Sequence, residues 1–165
     1  MRMTLTAFAG RHTPQMPKKR PETEDQLRKL TLEDGVVCLA HAPFPDLLPG
    51  RRGTLDGKYL WVITPSEVPV ILETAPHARP PPLQSGVAKH TNLTGGAPAC
   101  CGGELWVDPV FSECLYVNGG SGRYQPRSPE ELEDAVGVFE GLGFRVICAG
   151  WSEDNDAPER TFREP

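Results

Sequence analysis

The chain has 165 residues, a formal net charge of -5, a sequence pI near 5.4 and an apolar fraction of 38%. That acidic balance excludes a general nucleic-acid binder, which needs a basic face to displace counterions, and no apolar run is long enough to make a membrane-spanning helix. Its 5 cysteines follow no secretory signal and read as reduced thiols of a cytoplasmic protein, while 18 prolines require a core assembled from short segments.

Residues 1–21 have prolines and charges but no apolar periodicity, and are expected to form a disordered, flexible arm with a basic group at Arg11, Lys18, Lys19 and Arg20. Thr23-Glu24-Asp25-Gln26 is a capping-box pattern followed by Leu27 and Leu30, which predicts a short helix over 24–31. Gly35 to Ala40 reads as a strand and Pro43 to Gly53 as loop. Lys58 to Ile63 and Val68 to Glu73, around the turn Thr64-Pro65-Ser66-Glu67, read as a β-hairpin. Pro69 has no N–H to give a ladder, so its strand is expected at an edge or with that position facing outward. Ala75 to Gln84 is a proline-rich connector that either crosses the surface or docks a protein partner.

The second half carries clearer signals. Glu104 to Val107 and Cys114 to Val117 read as strands joined through Asp108-Pro109. Ser128-Pro129-Glu130-Glu131 opens a helix: serine caps, proline suits the first helical position, and Glu131 can reach back to the cap. Leu132, Ala135, Val136, Phe139 and Leu142 recur at helical spacing and Gly143 ends the run. Phe144 to Ala149 is a strand, and 151–165 is a charged tail expected to fray. These elements predict an α+β domain over 22–150, a mostly antiparallel sheet with one main helix packed on a face.

Polar groups concentrate between His90 and Pro126, interleaved with glycine pairs. His90, Glu104 and Tyr124 are the candidate catalytic residues, and Thr91, Asn92, Gly95, Gly96, Ser121, Gly122 and Arg123 the candidate ligand-binding residues. Histidine serves as a base or as a donor that orients a sugar or phosphate; Glu104 near it would complete an acid/base pair. Arg123 can clamp a phosphate or carboxylate, with Ser121 and neighbouring amides forming an anion nest. The structural alternatives are a histidine satisfied at a strand end, a solvent-facing glutamate, and a turn whose buried tyrosine holds the entry to the helix. Cys100, Cys101, Cys114 and Cys148 include no Cys-x-x-Cys spacing and read as core-filling residues, so no metal site is expected. No motif names a cofactor.

The stretch over about 84–145 resembles a domain found in C-terminal modules of bacterial polymorphic toxins and in plant IQ-motif calmodulin-binding proteins. The matching positions are His90-Thr91-Asn92-Leu93, Gly95-Gly96, Gly103-Glu104, Ser121-Gly122-Arg123-Tyr124-Gln125-Pro126 and the helix from Pro129. Arg123 stands where that pattern has histidine, a change that removes an imidazole or turns the site towards anions. The chain has no IQ motif, and the resemblance brings no activity with it. His90 followed by Tyr124 is also similar to the order of these residues in His-Tyr-Glu ADP-ribosyltransferases, though little chain follows Tyr124 for the rest of that fold. The expectation is a small-molecule site for a polar or anionic, nucleotide-like ligand, with glycosyl or ADP-ribosyl transfer as the reaction if one occurs. The alternative is a non-enzymatic interaction module, such as an immunity, antitoxin or inhibitor protein.

Overall fold

The computed structural model describes residues 1–41 and 45–163. A helix α1 (Leu5–Arg11) comes first, then strands β1 (Val37–Cys38), β2 (Tyr59–Ile63), β3 (Pro69–Leu72), β4 (Cys101–Val107) and β5 (Cys114–Asn118). Helix α2 (Pro129–Gly141), strand β6 (Arg145–Cys148) and a small pair β7 (Trp151–Ser152) and β8 (Ala157–Pro158) complete the chain. Six strands form one sheet in the order β1-β3-β2-β4-β5-β6. Its pairs are antiparallel except β5–β6, which are parallel because α2 carries the chain back across the sheet. The fold is α+β with α2 as its main helix.

Strand β2 shows how the sheet is covered. Every one of its residues is buried, so it reads as a continuous apolar run rather than an alternation. Tyr59, Trp61 and Ile63 face the helices, where the Phe139 ring meets Trp61 edge-on at 5.2 Å. Leu60 and Val62 face the other way, towards Leu30, Leu93 and Tyr124. This second face is covered by irregular chain instead of helices, as the proline content requires. Polar side chains hold that layer: Asn92 donates to the carbonyls of Asp25 and Arg28, and Asp34 accepts from the Thr31 and Arg79 amides. The predicted helix over 24–31 is reduced to one 3-10 turn, Glu24–Leu27, and a second, Leu32–Asp34, follows beyond it. The backbone there is committed to contacts with Asn92 and cannot close an α-helical ladder.

Helix α2 follows its local code. Ser128 accepts from the Glu131 amide at 3.1 Å, Pro129 takes the first turn, and Gly143 adopts φ +103° just past the end. Glu131 reaches back one residue further than the capping box predicts, accepting from the Arg127 amide at 3.0 Å. Pro69 lies on β3, one strand in from the edge, where its only outer neighbour is the two-residue β1. The loop expected over 43–53 begins within the undescribed residues 42–44.

Both chain ends depart from expectation. Residues 1–21, expected as a disordered arm, contain α1, capped by Thr4 at the Ala7 amide, with Phe8 fully buried. Two glycines of α2 admit this segment. A Cβ at Gly137 would stand 2.6 Å from the Met1 carbonyl and one at Gly141 2.6 Å from that of Met3. The Met3 amide instead donates to the Gly137 carbonyl at 2.9 Å. The tail, expected to fray, turns back through β7 and β8 and seats Phe162 edge-on against Trp106 and Tyr116, each at 5.7 Å; residues 164 and 165 lie outside the described residues.

Candidate functional site

The register of the sheet places Glu104 directly opposite Asn118 on the face away from the helices. The Asn118 amide nitrogen donates to Glu104 Oε1 and to the Arg160 carbonyl, each at 3.0 Å, while its oxygen accepts from the Glu104 and Gly120 amides. Gly120 is required here, since a Cβ would sit 2.9 Å from the Asn118 side-chain oxygen and 3.1 Å from Glu104 Oε1. The hairpin supplies the next layer. Its strand ends bring Lys58 opposite Glu73, and Lys58 Nζ lies 3.3 Å from Glu73 Oε2 and 3.1 Å from Glu104 Oε2. Burial works against the Lys58 ammonium, but its contacts with these two carboxylates outweigh that and raise its pKa.

Above this base is a cavity of about 300 Å³. His90, Glu104 and Arg123 line it together with Lys19, Lys89 and Arg160, and Gly122 forms part of the rim. Four cations and the two carboxylates Glu73 and Glu104 thus line a cavity in a chain that is acidic as a whole. Arg123 is 5% exposed. Its Nη2 donates to Gln26 Oε1 at 2.7 Å, and its Nη1 is buried with no hydrogen-bond partner. Burial pushes its pKa down. The 3-10 turn carrying Gln26 covers it. Two larger clefts, about 570 and 610 Å³, flank the N-terminal segment. Among the described residues, neither these nor a third cleft of about 370 Å³ beside Pro49 and Thr74 holds a buried ionisable group without a partner, whereas the 300 Å³ cavity does.

His90 opens a 3-10 turn, His90–Asn92, and its Nε2 lies 2.8 Å from the Gly103 carbonyl. Burial is the main influence on the ring and lowers its pKa to about 4, helped by the charges of Arg123 and Arg160 and opposed by the Gly103 bond and Glu104. At neutral pH the imidazole is uncharged.

No protein-family model matches the chain, no curated protein matches it in sequence, and no solved structure matches its fold. The chemistry of the site is therefore read from its geometry.

Of the residues singled out in the sequence, His90, Glu104, Gly122 and Arg123 come together at the cavity. Tyr124 does not. It is fully buried, its hydroxyl donating to the Ala97 carbonyl and sharing a hydrogen bond with the Thr94 hydroxyl, both at 2.8 Å. Ser121 accepts from the Tyr124 amide, which fixes the turn. Asn92 is spent on the Asp25 and Arg28 carbonyls. Gly95 and Gly96 adopt φ +69° and +85° in a turn packed on Lys29 and Leu27. Thr91 is buried with its hydroxyl unpaired. Sequence reasoning missed Lys58, Glu73, Lys89 and Arg160. The first two were findable, because a hairpin about residues 64–67 places 58 opposite 73; Arg160 was hidden in a tail read as frayed. Cys100 and Cys101 are buried in the core with raised pKa values, that of Cys100 about 11. Among the described residues no group of three His, Cys, Asp or Glu is placed to hold a metal ion.

Proposed function

We propose that this chain binds a small anionic ligand of the phosphate type in the cavity beside Arg123. The observation that carries the proposal is the Arg123 guanidinium, buried at the cavity wall with one neutral partner and an unmatched Nη1. A buried cation with no carboxylate in ion-pair contact is costly, the Glu22 charge reaching it only at longer range, and an anion in the adjoining cavity would offset that cost. Lys89 and Arg160 add positive potential from other elements, and the two carboxylates at the base are already engaged by Lys58. The proposal is for binding rather than group transfer, because the Tyr124 phenol on which an ADP-ribosyl reading depends is enclosed in the core.

Thermal unfolding at constant ionic strength, with chloride as the control anion, tests this. A ligand at a hundred times its Kd stabilises the native state by about 2.7 kcal/mol, roughly 5–10 °C for a chain of this size. A saturable rise with inorganic phosphate or pyrophosphate is expected. Equal melting temperatures in phosphate and chloride would refute the proposal.

The second reading, an interaction module, is favoured by a different observation. Strand β6 ends the sheet, and Ile147 on it and Phe111 beside it are 46% and 52% exposed. Protection of the β6 amides from hydrogen exchange by a purified partner is the result that would favour it.

A further inference from the structure

The protein orients the His90 ring. Nε2 faces the Gly103 carbonyl at 2.8 Å and therefore carries the ring proton. Cδ2 is turned towards the same strand, 3.1 Å from where a Cβ at Gly102 would stand. With the Nε2–Cδ2 edge held against β4, the ring atom opposite that edge is Nδ1. It has no hydrogen-bond partner among the described residues, and His90 lines the cavity. In this tautomer Nδ1 is a lone-pair acceptor. A phosphate monoester dianion such as methyl phosphate presents only acceptor oxygens to it, and two sets of lone pairs make no bond. The cavity thus sets a neutral acceptor among cations, and the acidic side chain nearest it, Glu104, has both oxygens taken by Asn118 and Lys58.

We infer, on the basis of the anion-binding reading above, that the ligand carries a hydroxyl or N–H donor beside its anionic group, as a sugar phosphate or nucleotide does, and that His90 Nδ1 accepts from that donor. Arg123 and its cationic neighbours hold the charge and His90 reads the donor. His90 is then the specificity-determining residue of the site. The volume of about 300 Å³ is at the small end of ligand sites and suits a compact phosphorylated sugar.

The test uses wild-type protein in mildly alkaline buffer, where phosphate monoesters are dianions, and two probes, methyl phosphate and ribose 5-phosphate. Affinities come from calorimetry, and the 15N shift of His90 Nδ1 is followed in the same titrations. Ribose 5-phosphate should bind about five- to tenfold more tightly than methyl phosphate, the worth of one added hydrogen bond, and should move the Nδ1 resonance where methyl phosphate does not. Binding of both probes with equal affinity, or tighter binding of ribose 5-phosphate with an unmoved Nδ1 resonance, overturns the role of His90 and leaves the anion reading intact. Failure of both probes to bind overturns the anion reading itself. A His90→Phe variant that folds should retain methyl phosphate binding and lose the preference for the sugar; a retained preference also overturns the inference.

Discussion

Replacing Arg123 with methionine separates the two energies that the cavity sets against each other. In the free protein the substitution removes one charge-assisted hydrogen bond, Nη2 to Gln26 Oε1 at 2.7 Å, worth about 1.5–3 kcal/mol. Gln26 Oε1 is not orphaned, because it still accepts from the Glu22 amide at 2.9 Å. Against that loss stands relief of a buried guanidinium that has no ion-pair contact and only the longer-range charge of Glu22 to offset it, a penalty on the order of a few kcal/mol. Methionine keeps an unbranched stem in the same space. The ligand-free variant should therefore be as stable as wild type or more stable by roughly 1–2 kcal/mol. Its affinity for inorganic phosphate should fall about ten- to a hundredfold, since the hydrogen bond from the guanidinium to a phosphate oxygen is again charge-assisted. Urea denaturation in phosphate-free buffer reads the first quantity and calorimetry the second. Arg123→Lys, which keeps the charge but not the fork, should bind with intermediate affinity. A methionine variant at least about 2 kcal/mol less stable than wild type, with phosphate affinity unchanged, would refute the reasoning and make Arg123 a structural residue.

The remaining predictions probe the packing around the site. Phe8→Ala should cost about 3–5 kcal/mol in urea denaturation, because Phe8 is fully buried between the sheet and α2; a cost near zero would restore the first residues to an unstructured arm. Tyr124→Phe should lower stability by about 1–3 kcal/mol, as the Ala97 carbonyl loses a buried donor, with phosphate affinity unchanged; a loss of binding without a loss of stability would return Tyr124 to the site. His90 makes stability fall with acid. Its folded pKa of about 4 lies below its ordinary value of 6.5, so the unfolded chain takes up the proton first. The stability it contributes is complete above pH 6.5 and is lost as pH falls towards 4, with a slope of up to about 1.4 kcal/mol per unit. The charged groups acting on the ring are Glu104, Arg123 and Arg160. Denaturation midpoints of wild type and His90→Gln between pH 6.5 and 5 should diverge by that slope, and parallel curves would contradict a buried neutral ring.

Helix α2 and the hairpin of β2 and β3 were legible because their determinants lie within a few residues of one another. Ser128, Pro129 and Gly143 act on adjacent backbone groups, and the turn at 64–67 sets the register that brings Lys58 opposite Glu73. The concentration of glycines and polar groups from His90 onward was visible in the sequence, and four of its residues reach one cavity. Which four was a matter of tertiary structure. Whether a polar side chain faces a cavity or the core depends on what covers it, and on this face the cover comes from distant chain: Gln26 over Arg123, Thr94 and Ala97 around Tyr124, and the returning tail against Asn118. The N-terminal helix left only a faint trace, in Gly137 and Gly141 spaced four apart on α2, where glycine weakens a helix unless another backbone must come close. The parallel pairing of β6 likewise follows from α2 returning across the sheet, a long-range closure that no local pattern encodes. Local hydrogen bonding is written in neighbouring residues. Burial belongs to the whole chain, and burial is what left Arg123 with an Nη1 that no hydrogen bond matches.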